Sequence, residues 1–192
     1  MLNPRIIPVL LMHERGLVKT KKFNEGKYVG DPLNAVKIFN EQEADELTFF
    51  DIDATVRQRE PDYNLIEKIA MECRMPLCYG GGIKTVDQAE RILKLGVEKI
   101  SISSGAFENP QMVSELAKKV GSQSVVVCID VKTGMFQSKL KCYTHNSKIK
   151  QDIDPLEFAL AAQDMGAGEL IINSIEKDGM MNGYDLNMIS SF

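Results

Sequence analysis

The chain has 192 residues, 44% of them hydrophobic, with a net charge of −4, four cysteines and two histidines. That length gives one domain or a small pair a sizeable core, and an acidic balance without a basic block argues against nucleic acid as the main partner. No apolar run approaches the ~18 residues of a membrane span. Residues 1–5 lack the apolar core of a signal peptide. No CxxC occurs, so Cys73, Cys78, Cys128 and Cys142 read as reduced thiols of a cytoplasmic protein and argue against a zinc site.

The first apolar run, Ile6 to Leu11, has strand length, and Pro8 demands an early or irregular place in a sheet. Residues 14–30 show no periodicity and carry Lys19, Lys21, Lys22 and Lys27, the pattern of a long basic loop. Asp31-Pro32 then opens a helix, aspartate as N-cap and proline at the first helical position. A strand over Leu47 to Phe50 ends in Asp51-Ile52-Asp53, and a helix follows around Leu65 to Met71.

Next comes Pro76-Leu77-Cys78-Tyr79, a strand stopped by Gly80-Gly81-Gly82, with a helix opening at Thr85. Strand, glycine turn and helix let bare backbone N–H groups approach an anion, and three successive glycines favour a phosphate cradle over a simple tight turn. Lys99 to Ser103 and Val125 to Ile129 form further strands, separated by a helix over 110–119. Residues 135–143 read as a short β-ribbon before the Asp154-Pro155 helix, and Leu170 to Asn173 is a last strand before a helix near Asp185.

Six apolar strands alternating with helices predict an α/β fold with a parallel sheet, of doubly wound or barrel type. An internal repeat separates the two. Residues 31–47 align without gaps on 154–170 with six identities in seventeen positions, the Asp-Pro cap included. A half holding four βα units, doubled, is the eight-stranded (β/α)8 TIM barrel. The expectation is one barrel domain over 1–192, with halves at about 1–120 and 121–192. Only about six units are present, so the barrel is incomplete or only partly represented.

Asp51, the glycines at 80–82, Ser103, Ser104, Asp130 and Asn173 stand at strand C-termini, the end where barrels build their chemistry. Asp130 follows five apolar residues, and a carboxylate so placed suits general acid/base work. For Asp51 a backbone cap or salt bridge weighs almost equally. At the opposite end Arg5, Glu46, Lys99 and Glu169 each precede an apolar run. Period two places Thr48 and Phe50 with Glu46, and Ser101 and Ser103 with Lys99. On spacing alone, solvated strand starts with weak surface ion pairs remain the preferred reading of the four. His13 and His145 read as solvated loop side chains. No nucleotide fingerprint or metal constellation occurs, so no cofactor is expected.

Taken together, Arg5-Ile6-Ile7, Gly30-Asp31-Pro32, Phe50-Asp51-Ile52, Gly80-Gly81-Gly82-Ile83, Glu108-Asn109-Pro110, Ile129-Asp130, Asp178-Gly179 and Gly183-Tyr184-Asp185 resemble the cyclase subunit of imidazole glycerol phosphate synthase. The resemblance implies a partner glutaminase docked on the N-terminal face, forming a heterodimer. Ammonia would pass a gate formed by Arg5, Glu46, Lys99 and Glu169, then a lining of Thr48, Phe50, Cys78 and Ser101, toward a phosphorylated substrate. With this, the charged ring becomes the preferred reading. Gly81, Gly82, Ser103 and Ser104 would hold a phosphate, and Lys19 would reach in from a loop able to close as a lid.

Two departures stand out. The family's mechanism is similar to one with two carboxylates, and Asp130 fills the second position whereas Leu11 occupies the first. The family's asparagine at the end of strand 4 is here Ser103. Leucine carries no proton, so the expectation is a divergent paralogue with altered cyclase chemistry, resembling relatives that serve amidino-sugar biosynthesis. A histidine-pathway cyclase, with Asp51 or Glu14 replacing the lost acid, is one alternative. A non-catalytic scaffold that activates the glutaminase is the other.

Overall fold

The computed structural model describes residues 4–24, 26–133 and 139–192. The chain divides into two compact units, one reaching to Val18 and resuming over Tyr28–Ser101, the other made of Lys19–Lys27 and Ile102–Phe192.

In the first unit the elements run β1 (Val9–His13), β2 (Gly16–Lys19), β3 (Lys27–Gly30), α1 (Pro32–Glu41), β4 (Leu47–Asp51), α2 (Tyr63–Glu72), β5 (Leu77–Gly80), α3 (Val86–Lys94) and β6 (Lys99–Ile102). The strand order is β3-β2-β1-β4-β5-β6, with β1, β4, β5 and β6 parallel. Leu47, Phe49, Leu77, Tyr79 and Ile100 of the strands are buried, and so are Val36 of α1, Ile66 and Ile69 of α2, and Ala89 and Ile92 of α3. The helix caps follow the sequence signals. The Asp31 carboxylate accepts the Asn34 N–H, and Thr85 forms a reciprocal capping box with Gln88.

Residues 14–30 are not the single long loop that their composition suggests. Leu17 and Val18 are buried, and β2 pairs antiparallel with β1 through Leu11↔Val18 and His13↔Gly16. The connecting residues Glu14 and Arg15 both have positive φ, 48° and 67°. Such a two-residue turn matches strand twist but is normally built from Asn-Gly or Asp-Gly. Holding two ordinary side chains there costs ~1–3 kcal/mol each. The first strand also starts later than expected, at Val9. Pro8 supplies only a carbonyl, which accepts the Thr48 N–H.

The second unit contains α4 (Ser104–Glu108), α5 (Gln111–Val120), β7 (Val125–Thr133), β8 (Leu140–Thr144), β9 (Ile149–Lys150), α6 (Pro155–Asp164), β10 (Glu169–Ser174) and α7 (Leu186–Ile189). β7 is parallel to β10 and antiparallel to β8, which pairs in turn with β9. Val125, Val127 and Ile129 are fully buried, as are Leu116 and Ala162, and Phe107 stacks on Phe158 at 3.8 Å. β7 continues past Ile129 because β8 supplies ladder partners for residues 130–133, so Asp130 lies within the strand. Of the expected ribbon, residues 135–138 lie outside the described residues. α4, too short to leave a periodic signal, was not foreseen. α6 repeats the cap of α1: Asp154 accepts the Leu156 and Glu157 N–H groups, and Pro155 is the first helical residue.

Candidate active site

At the N-terminal ends of the first unit's strands, one oxygen of Glu46 receives two cations. Arg5 Nη1 lies 2.8 Å from Glu46 Oε2, and Lys99 Nζ lies 2.6 Å from the same atom. Glu46 is 2% exposed and the Lys99 side chain 13%, while that of Arg5 is 46% exposed. The expectation of solvated strand starts therefore does not describe Glu46. Such a carboxylate survives burial only because it is paired. Glu169 opens β10 in the second unit, in register with Val126.

The strand register then sets two layers beyond Glu46. Thr48 pairs with Cys78 and Cys78 with Lys99; Phe50 pairs with Gly80 and Gly80 with Ser101. Aligned parallel partners point to one side of the sheet, so Glu46, Thr48, Phe50, Cys78 and Ser101 share a face. The Thr48 and Ser101 hydroxyls are buried and find no hydrogen-bond partner among the described residues. Leu11 pairs with Phe50 and extends the second layer.

Asp51 lies on the other face, opposite Met12. Its Oδ1 accepts the N–H groups of Asp53 (2.9 Å) and Ala54 (3.0 Å), which is capping work. Burial pushes its carboxyl up, and those two N–H groups only partly offset this. Asp51 also lines a cavity of about 260 Å³ with Met12, Arg15, Arg59, Glu60, Asp62 and Leu65. Beside it runs the glycine turn. Gly81 and Gly82 adopt φ +122° and +71°, and a Cβ on Gly81 would collide with the Asp51 carbonyl oxygen. The Gly82 N–H faces the Thr55 hydroxyl at 3.3 Å. Glu14, weighed as a substitute acid, pairs with Arg57 at 2.9 Å.

In the second unit Asp130 Oδ1 accepts the Asn173 amide at 3.1 Å and faces Cys128 Sγ at 3.9 Å. Burial raises its carboxyl to about 6, which the Asn173 and Cys128 contacts only partly counter. An acid of that strength exchanges protons near neutral pH. Ser104 Oγ accepts the His145 N–H at 3.4 Å, and the Ser103 hydroxyl is buried without a partner among the described residues. Lys19 ends β2 with its side chain exposed. The segment after it is tied down by Asp178: its Oδ2 accepts the Thr20 hydroxyl (2.7 Å) and the Phe23 N–H (3.0 Å). Sequence reasoning had no signal for this contact, which spans 158 positions. Among the described residues no group of three or more His, Cys, Asp or Glu is placed to hold a metal, and no helix is long and apolar enough to cross a membrane.

A mostly parallel α/β repeat, with a paired charged cluster at one end of its strands and acids and glycines at the other, defines a protein of the βα-barrel class. The family described as "Histidine biosynthesis protein" matches residues 5–192, and the chain belongs to that family. It is 66% identical over 192 residues to "Putative imidazole glycerol phosphate synthase subunit hisF3" of Vibrio vulnificus, covering all of this chain and 74% of that protein. "Putative imidazole glycerol phosphate synthase subunit HisF" of Leptospira interrogans is 55% identical, over all of this chain and 76% of its own length. "Imidazole glycerol phosphate synthase subunit HisF" of Petrotoga mobilis is 41% identical, over 98% and 75% respectively.

Proposed function

We propose that the chain is the ammonia-accepting, cyclase-type subunit of a glutamine amidotransferase pair, with cyclase chemistry altered at Leu11. The observation that carries this is the buried Glu46 carboxylate, closed by Arg5 and Lys99, with the unpartnered Thr48 and Ser101 hydroxyls following on the same face. Buried hydroxyls are rarely left unsatisfied. A small polar molecule such as ammonia, which donates and accepts hydrogen bonds, suits that lining. Phe50 and Cys78 supply its apolar part, and Glu169 is assigned to the gate by family resemblance.

At the strand C-termini the proposed acceptor is a phosphorylated or sugar substrate. The proposed phosphate cradle is the Gly81-Gly82 turn in the first unit, where the Gly82 N–H would exchange its contact with the Thr55 hydroxyl for a phosphate oxygen, and Ser103 and Ser104 in the second. Asp130 is the proposed proton donor and acceptor, and Lys19 a proposed phosphate contact. Asp51 enters as support for the glycine turn, since its carboxylate is committed to backbone N–H groups.

A second reading, cyclase of imidazole glycerol phosphate synthase proper, is favoured by the 41% identity to the Petrotoga subunit of that name. Turnover with ammonium salts and a bisphosphorylated ribulosyl substrate separates the two. Loss of one acid/base group costs about 10²–10⁴ in rate. The altered-cyclase reading expects a deficit of that size relative to the Petrotoga subunit, partly recovered by Leu11→Asp. A rate equal to that subunit's would refute it and support the second reading.

A further inference from the structure

The end of β1 carries an arrangement that this reading does not use. His13 Nδ1 lies 2.8 Å from Asp53 Oδ1. The Asp53 side chain is only 8% exposed, while that of His13 is 42% exposed. Asp53 Oδ2 accepts the Glu14 N–H at 2.9 Å and faces Arg59 Nη2 at 3.4 Å; Arg57 Nε lies 3.8 Å from Oδ1. Burial pushes the Asp53 carboxyl up, but the Glu14 N–H and His13 outweigh it and hold the group below the usual carboxylate range. An ionised carboxylate can only accept. It therefore calls for the proton on Nδ1, and in the neutral ring Nε2 is then the acceptor.

The pair sits beside the β1–β2 turn. Glu14 and Arg15 are both held at positive φ, braced by Glu14–Arg57 and Arg15–Asp62 ion pairs of 2.9 Å each. Asp53 also belongs to the segment that supports the glycine turn, where the Asp51 carbonyl abuts Gly81 and the Thr55 hydroxyl faces the Gly82 N–H. His13 is the last residue of β1, two residues beyond Leu11, and β1 is the neighbour of β4, from which that supporting segment continues.

We propose that His13, oriented by Asp53, is a proton-transfer group for a small polar substrate seated at the glycine turn. Nε2 takes the proton from the substrate's N–H or O–H as that nitrogen or oxygen forms a bond to an electrophilic carbon, giving an imidazolium beside the Asp53 carboxylate. That proton then passes to the oxygen whose bond to the same carbon breaks, so the oxygen leaves as a hydroxyl group and neutral imidazole is restored. His13 is the proton carrier, and Asp53 is a positioning residue acting through it. The identity of the substrate rests on the proposed function, whereas the dyad does not.

Two measurements on the full chain test this. ¹⁵N NMR reads the imidazole tautomers directly, and His145→Gln leaves His13 as the sole histidine signal. The Nδ1–H tautomer is expected at neutral pH and should be lost in Asp53→Ala. A dominant Nε2–H form would overturn the proposal. In ammonium-dependent turnover, His13→Ala should lower kcat about 10²–10⁴-fold with KM little changed, and free imidazole should restore part of the rate. A rate within about twofold of wild type, or a loss that imidazole does not relieve, would overturn it as well. Wild-type protein inactive with every acceptor tried would remove the proposed function, while the tautomer measurement would still decide the dyad.

Discussion

Asp130 shows what its site costs the fold. A carboxyl raised to about 6 from 3.8 binds a proton more tightly in the native state than in the unfolded one. Native protein therefore holds more proton between pH 4 and 6, so stability falls as pH rises through that window and stays lower above it. Asp130→Asn should abolish this fall and gain roughly 3 kcal/mol at pH 7–8, while losing turnover. Urea titrations of both proteins at pH 4 and pH 7.5 check this. Equal stability gaps at the two pH values would contradict the burial argument. Glu46, also buried, has two cations against one oxygen.

At the scale of elements, the segment after β2 depends on Asp178. Lys22 and Phe23 have positive φ, 52° and 59°, and the Phe23 N–H ends on the Asp178 carboxylate along with the Thr20 hydroxyl. Gly179 packs its Cα against the Thr20 carbonyl, leaving no room for a Cβ. Thr20→Val removes one hydrogen bond to a charged acceptor, worth about 1.5–3 kcal/mol. Amide exchange at Phe23 should accelerate about 10–100-fold, with the β7 amides unaffected. Exchange unchanged at Phe23 would show that the hydroxyl does not hold the segment. Such local slackening would reach Lys19 next in sequence, and through it the proposed phosphate contact.

The same elements show what the sequence could and could not reveal. Caps at Asp31, Thr85 and Asp154 were legible because each joins a side chain to a backbone group within three residues. The parallel strands were legible as apolar runs, since both faces of the sheet are covered. The β1–β2 hairpin was not, because Glu14-Arg15 carries none of the usual turn residues. Nor was the His13–Asp53 pair, whose members lie 40 positions apart with no periodicity to link them. His13 read as a solvated loop residue and is instead the last residue of β1. Asp51 showed the limit of a good signal: its position at a strand end was right, but the pleat turns it away from Leu11. Glu46 looked on spacing alone like a solvated strand start, which its burial corrects, while the gate assignment comes from resemblance.

Across the whole molecule, the account rests on a charged cluster at one end of the strands serving chemistry at the other. Family membership over residues 5–192 makes a barrel the frame for this. The buried Thr48 and Ser101 hydroxyls, without a partner among the described residues, are what the proposed ammonia route would use. A protected route and a bulk route for ammonia leave different isotopic records. The deciding measurement gives the complex of this chain and a glutaminase ¹⁵N-amide glutamine together with excess unlabelled ammonium, and reads the label in the aminated acceptor. The account predicts that most transferred nitrogen carries ¹⁵N despite the unlabelled pool. A labelled fraction equal to that of the bulk ammonium would contradict it.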